Sequence, residues 1–421
     1  MSDVSPESTA FLADPERAEH KGLPEIGPRL LADVSLPAAV LHEAALSHNL
    51  GWMQAFCDAH GALLAPHGKT TMAPALFRRQ RESGAWAITL ATAPQCRAAF
   101  AHGVTRLLLA NQLVGRANMA IVAELLEAGA ELWCLVDAAD NARELDAFFV
   151  GRGLRLPVLI ERGVPGGRCG CRSREEVLAL AAVVDAAAGL ELSGVEGYEG
   201  LVQAEGEASP EAAVAAYAAD LVDTLSALMQ AGLLAVARPL VTASGSAWHD
   251  IVAEAFRDAG LDERVRRVMR PGCYVTHDHG LYGEAQARVL GRRPALGEGL
   301  RPALEVFAQV QSLPEPGLAI VAMGRRDVGG DRLPRALRRY REGGSADRTM
   351  PIDGWRVEKL MDQHAFVRLP ETPGHHRGEE VRIGDIVAFG ISHPCLTFDK
   401  WRRLCRVDAS LAVVEVLETC F

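Results

Sequence analysis

The chain has 421 residues, enough for two or three ordinary domains or for one large barrel with a smaller companion. Apolar residues make up 49% and charged residues 23%, a balance that supports a sizeable core in a soluble protein. A net charge of -10 without any long basic run excludes nucleic acid and anionic membrane as expected partners.

Met1 to Leu30 is polar and acidic and carries no apolar segment of the signal-peptide kind. No uninterrupted apolar stretch reaches 18 residues, so no transmembrane helix is expected. The nine cysteines are scattered and odd in number, which fits a reducing cytoplasm better than a disulfide framework. From Leu36 to Tyr282 short apolar runs alternate with Ala/Leu/Glu-rich helical stretches such as Ala117–Ala128 and Ala212–Ala231. The expected strands are Ala62–Ala65, Ala87–Leu90, Arg106–Ala110, Glu131–Val136, Pro157–Glu161, Leu192–Tyr198, Pro239–Ala243 and Val268–Arg270. Their count and spacing predict an α/β fold, a (β/α)8 TIM barrel over residues 36–287, with a doubly wound sheet as the alternative. After Gly283 the pattern changes. Ala303–Gln311, Gly317–Met323, Arg382–Ile391 and Leu411–Leu417 read as strands of a C-terminal all-β domain over residues 288–421. Gly324 to about Gly378 reads as one long irregular insertion, and the arginine-rich Arg332–Arg341 within it as a solvated face or interface segment. The first 35 residues form a tail that is either loose or packed on the β domain.

Only four positive side chains are lysines, against forty arginines. A retained lysine is therefore a candidate for work only an amine can do, such as forming a Schiff base. Lys69 follows the expected strand Ala62–Ala65 across a Pro66-His67-Gly68 break, where a barrel places functional groups. It either carries an aldehyde cofactor or is a surface lysine at a turn. Thr242-Ala243-Ser244-Gly245-Ser246 ends a late strand with N–H groups and hydroxyls suited to an anion, although ordinary turns use the same residues. His393 and Cys395, two apart in Ser392-His393-Pro394-Cys395, are either a soft metal pair or a turn histidine beside a buried cysteine. His364 is a possible third contact or a hydrogen-bonded surface residue.

Pro66-His67-Gly68-Lys69-Thr70, Arg270-Pro271-Gly272-Cys273-Tyr274 with Asp278, and Ser392-His393-Pro394-Cys395 with Thr397-Phe398-Asp399-Lys400-Trp401 occur in that order. Together they resemble the D-serine dehydratase and D-threonine aldolase family of fold-type III pyridoxal-phosphate (PLP) enzymes, relatives of alanine racemase. The resemblance spans about Leu36 to Phe421. It implies a PLP-bearing barrel, a C-terminal β domain and a homodimer. Lys69 matches the Schiff-base lysine, Ser244, Gly245 and Ser246 the phosphate turn, Tyr198 a tyrosine near the cofactor, and Arg168 an arginine beside its ring. His393 and Cys395 match the metal pair, for zinc, of the dehydratase branch; the aldolase branch usually carries aspartate at the second position. The loop Val164-Pro165-Gly166-Gly167 and Met323-Gly324-Arg325-Arg326-Asp327 depart from the family pattern. The implied activity is PLP- and zinc-dependent dehydration of a β-hydroxy D-amino acid such as D-serine to a keto acid and ammonia. The alternatives are aldolase-type cleavage to glycine and an aldehyde, racemisation, and non-catalytic PLP binding.

Overall fold

The computed structural model describes residues 21–204, 206–234, 236–370 and 380–421. The first 20 residues of the N-terminal tail and residues 371–379 of the expected insertion lie outside the described residues. The chain divides into two compact units. His48–Val275 and Tyr282–Leu300 form one; the described residues up to Ser47, Thr276–Leu281 and Arg301–Phe421 form the other. β1 (Ala38–His42) belongs to the second unit, although its sequence pattern groups it with the barrel. It is an apolar strand buried on both faces, so composition does not distinguish it from a barrel strand.

The first unit contains β2 (Leu63–Leu64), β3 (Ile88–Leu90), β4 (Arg106–Gln112), β5 (Glu131–Val136), β6 (Leu156–Arg162), β7 (Leu190–Gly197), β8 (Leu240–Ala243) and β9 (Arg266–Met269). From β3 to β9 each strand pairs in parallel with the next in the chain, and β9 pairs in parallel with β2. Between β2 and β3 the ring closes through the N–H of Trp86 donating to the Leu64 carbonyl (2.7 Å), the N–H of Thr89 donating to the Pro66 carbonyl (2.8 Å), and a parallel bridge from His67 to Thr89. The result is a (β/α)8 barrel. Leu108, Leu135, Leu159, Leu240 and Val268 meet in one buried cluster, as near-continuous apolar strands require. Helices connect the strands, and Thr92, Ser173 and Ser209 cap three of them through side-chain oxygens. Helix Pro210–Gln230 is long and apolar enough to cross a bilayer by length and composition, but it buries Val214, Leu221, Leu225 and Leu228 alongside β7 and β8.

The second unit holds β10 (Leu304–Glu315), β11 (Leu318–Val321), β12 (Arg335–Tyr340), β13 (Arg356–Leu360), β14 (Ala365–Arg368), β15 (Ile386–Gly390), β16 (Arg403–Val407) and β17 (Val413–Glu418). With β1 they make a nine-stranded sheet along β13-β14-β11-β10-β1-β16-β17, with β15 paired to both β10 and β12. Leu30 and Leu31 share the core of this unit with Val40, Phe307, Tyr340 and Cys405. The supposed irregular insertion is therefore corrected: it contributes β12, β13 and β14. The solvated reading of Arg332–Arg341 holds for the exposed Arg332 and Arg335 and is corrected for Arg338 and Arg339. Arg339 is 1% exposed and pairs with Asp385 at 2.7 Å, while Arg338 pairs with Glu305. Arginine masks the strand alternation because the buried carboxylates of Asp385 and Glu305 take its charge.

Candidate active site

Lys69 sits in a single 3-10 turn, Gly68–Thr70, directly after β2, and is half-buried. Gly68 is packed so closely that a Cβ there would lie 2.6 Å from Ile88 and 2.7 Å from Phe77. The turn is thus fixed against the barrel wall by the absence of a side chain. Its next residue, Thr70, places Oγ1 4.0 Å from the sulfur of Cys273. His67 is held neutral, well below the usual imidazole value, by burial and by the positive charges of Arg270, Lys69 and Arg168. Its buried Nδ1 has no hydrogen-bond partner.

After β9 the chain reads Arg270-Pro271-Gly272-Cys273. The N–H groups of Gly272 and Cys273 both donate to the hydroxyl of Ser246, at 3.2 and 3.1 Å. Two backbone donors thus converge on one oxygen, the arrangement by which a nest takes an anion. A Cβ on Gly272 would lie 3.3 Å from the Cβ of His67, so the nest and the Lys69 turn are neighbours. On its other side the turn is set by Glu199. This wholly buried carboxylate accepts the N–H groups of Ser244 (3.0 Å) and Gly245 (2.5 Å), and holds Ser244 at a left-handed φ of 87°. Burial raises the Glu199 carboxyl against the lowering by those bonds. Gly245 lies flat under Tyr198, where a Cβ would come 2.9 Å from the ring. Over the same ring lies the guanidinium of Arg168, 4.7 Å from the centroid. Burial, reinforced by Glu199, keeps the Tyr198 phenol protonated.

Beneath these groups the strand ends carry a buried polar network. Arg270 donates from Nε to Thr242 (2.9 Å) and from a terminal nitrogen to the Gly197 carbonyl (3.0 Å), and it pairs with Glu196. Burial, opposed by Arg270 and helped by Glu161, pushes Glu196 up to about 7. Its second oxygen is buried and unpartnered. Glu161 in turn accepts from Gln112 at 2.6 Å.

The barrel unit thus brings Lys69, Arg168, Tyr198, Ser244, Gly245 and Ser246 to the carboxyl ends of its strands, linked through Thr70, Gly272 and Cys273. These residues fit PLP: an amine beside the turn, a nest for a phosphate, an aromatic and guanidinium pair for a ring, and orphaned buried polar atoms at Glu196 and His67. Sequence reasoning assigned no part to the N–H groups of Gly272 and Cys273 or to Glu196, and it placed Glu199 at a strand end with Tyr198 without its anchoring role. The signals for the first pair were the Pro-Gly step after a late strand and the motif Arg270-Pro271-Gly272-Cys273-Tyr274, to which no role was attached.

His393 and Cys395 lie in the second unit, just after β15. His393 has a left-handed φ of 61°, and its backbone N–H donates to the buried Asp278 at 2.7 Å. Nδ1 is 2.5 Å from Asp331. The imidazole is raised to about 9 by its hydrogen bond with Cys395 and, after that, by Asp331. Imidazole and thiol side by side are a soft donor set that suits zinc. Among the described residues no group of three or more histidine, cysteine or acidic side chains could hold a metal, so this pair offers two ligands. His364 is exposed in the turn between β13 and β14, where its carbonyl accepts from the Met361 N–H, and it joins neither group.

An amine, a phosphate nest and a ring clamp at the strand ends of a β/α barrel, with a separate β unit, define the class of fold-type III PLP proteins. Two family descriptions cover the chain: alanine racemase, N-terminal domain, over residues 41–257, and putative serine dehydratase domain, over residues 303–407. The chain belongs to this alanine-racemase-like PLP family. It is 28% identical over 369 residues to a D-threonine aldolase from Arthrobacter sp, covering 88% of each chain. It resembles the crystal structure of a D-threonine aldolase from Filomicrobium marinum (TM-score 0.76, 23% identity, 93% of this chain and 97% of that one). It is also 31% identical over 151 residues to the D-threo-3-hydroxyaspartate dehydratase of Delftia sp. (strain HT23), covering 36% of this chain and 40% of that one. A cysteine-to-alanine mutant of D-threo-3-hydroxyaspartate dehydratase, solved in a metal-free form, superposes with a TM-score of 0.71 at 24% identity over 92% of this chain and 98% of that one.

Proposed function

We propose that this chain is a PLP- and zinc-dependent lyase that eliminates water from a β-hydroxy D-amino acid such as D-serine, the released enamino acid then taking up water to give a keto acid and ammonia. The observation that carries the dehydratase reading is the pairing of His393 with a cysteine, Cys395, in hydrogen-bond contact. Held by Lys69, PLP supplies an electron sink next to the α-carbon of an amino acid. The pair His393 and Cys395 would hold zinc, whose Lewis acidity assists the departure of hydroxide.

The chain's own groups do the rest. Ser246 and the N–H groups of Gly272 and Cys273 would hold the phosphate. Tyr198 and Arg168 would hold the ring, one by contact and one by charge. The amine of Lys69, once displaced by substrate, takes the α-proton as a general base. Arg270, locked by Glu196, Thr242 and the Gly197 carbonyl, keeps a fixed positive charge under the site.

The 28% identity with a D-threonine aldolase over 88% of each chain favours a second reading, retro-aldol cleavage of the same substrate class. A product assay on a panel of β-hydroxy D-amino acids, with and without added zinc, separates the two. Ammonia and keto acid support elimination; glycine and aldehyde overturn it. Lys69→Ala should abolish the visible absorption of bound cofactor, and persistence of that band removes Lys69 as its anchor.

A further inference from the structure

We propose that Asp331 is a positioning residue for the metal site: by accepting the Nδ1 proton of His393 it fixes the imidazole's tautomer and aim, so that the ring serves as a metal ligand together with Cys395. The inference rests on the metal-dependent reading above.

Two aspartates from distant parts of the sequence hold His393 by different atoms. Asp278, wholly buried, accepts the His393 backbone N–H at 2.7 Å with one oxygen and the Gly280 N–H at 2.9 Å with the other. It thereby secures the left-handed backbone at His393, which a residue with a Cβ adopts only at a cost. Asp331 engages the side chain, with Oδ2 2.5 Å from Nδ1. An imidazole can bind a metal through one nitrogen only when the proton sits on the other, and a carboxylate on that other nitrogen settles both tautomer and ring orientation. With Nδ1 committed to Asp331, Nε2 is the ligand nitrogen. A site with two protein ligands depends more heavily on each of them than a site with three or four, so the orientation of this one ring matters more than usual.

The placement of Asp331 is not a chance surface contact. The segment that carries it is tied to the His393–Cys395 turn by bonds that do not involve its carboxylate. The Gly329 N–H donates to Thr397 Oγ1 at 3.1 Å, and the Trp401 indole N–H donates to the Asp327 carbonyl at 2.8 Å. Gly329 runs so close to the turn that a Cβ would lie 3.1 Å from Leu396 and 3.2 Å from the Ser392 carbonyl. Asp327 closes the start of the segment by accepting the Gly324 N–H at 2.8 Å. The backbone therefore delivers residue 331 to the ring whether or not its side chain is acidic. The Asp331 side chain itself is 49% exposed, so changing it removes little packing.

The test uses the full-length, PLP-loaded protein, stripped of metal and titrated with zinc against a chromophoric chelator. Asp331→Ala should weaken zinc binding about 10- to 100-fold, the usual cost of losing such a partner, with the cofactor absorption and the melting temperature of the metal-free protein unchanged. Asp331→Asn, whose amide oxygen still accepts from Nδ1, should weaken it less. Zinc affinity in Asp331→Ala within twofold of the unsubstituted protein overturns the proposal. Cobalt(II) substitution supplies a second readout. An unchanged cobalt ligand-field band in Asp331→Asn supports positioning, whereas a shifted band makes Asp331 a ligand and overturns it. If the unsubstituted protein takes up no zinc at all, the metal-dependent reading fails and the proposal falls with it, an outcome distinct from a variant that binds normally.

Discussion

Replacing Glu196 by glutamine isolates the electrostatics of the barrel mouth. Glu196 is 1% exposed and faces Arg270, yet burial outweighs that attraction and raises its carboxyl from 4.5 to about 7. A carboxyl raised on folding is neutral and fully stabilising below its unfolded value, and that stability is lost as pH climbs to the folded value. The rise of about 2.5 units corresponds to about 3 kcal/mol at 1.36 kcal/mol per unit. Glutamine has the same shape and does not titrate. The stability of Glu196→Gln relative to the unsubstituted protein should therefore rise by about 3 kcal/mol between pH 4.5 and 7 and then level off. Urea unfolding at a series of pH values measures it. Urea-dependent hydrogen exchange in peptides from β7 and β8 reads the barrel unit separately. A difference that stays flat, or that falls with pH, refutes the reasoning, because Glu196 would then be ionised throughout and held so by Arg270.

Gly245→Ala forces a Cβ to within 2.9 Å of the Tyr198 ring and 3.3 Å of the Glu199 carboxylate, an overpacking worth about 1–3 kcal/mol. Displacing the turn should weaken PLP about tenfold or more in an absorption titration, and unchanged affinity separates the turn from the cofactor. In the β unit, burial alone would raise Glu305, but the hydrogen bond and charge of His42, with Arg338, hold it down at about 2. A lowered carboxyl gives stability that is present above pH 4.5 and lost as pH falls towards 2. Glu305→Gln should therefore cost about 3 kcal/mol at neutral pH and progressively less below pH 4.5. Urea-dependent hydrogen exchange in peptides from β10 and β15 reads this, and a pH-independent deficit contradicts it.

Each of the eight barrel strands was legible in the sequence, because parallel strands buried on both faces leave continuous runs such as Leu107-Leu108-Leu109. The β unit was harder to read. Its strands β12 and β13 are built of Arg335–Tyr340 and Arg356–Leu360, where charged residues hide the period of two. Lys69, Ser246, His393 and Cys395 stand out by residue type and by the breaks beside them. Glu199 stands out only by its place beside Tyr198 at a strand end, and Asp331 not at all, since a lone carboxylate in a chain with 54 acidic residues carries no sign of what it will hold.

By itself the sequence determined where the chain alternates between strand and helix, and which few side chains have chemistry the others lack. Those properties are local, written in hydrophobic period and residue type. Tertiary structure alone decided that Glu199 takes the N–H groups of Ser244 and Gly245, 45 and 46 residues away, and that Asp331 meets His393 across 62. A hydrogen bond depends on distance and direction in space, and those are fixed only once packing has placed remote segments side by side.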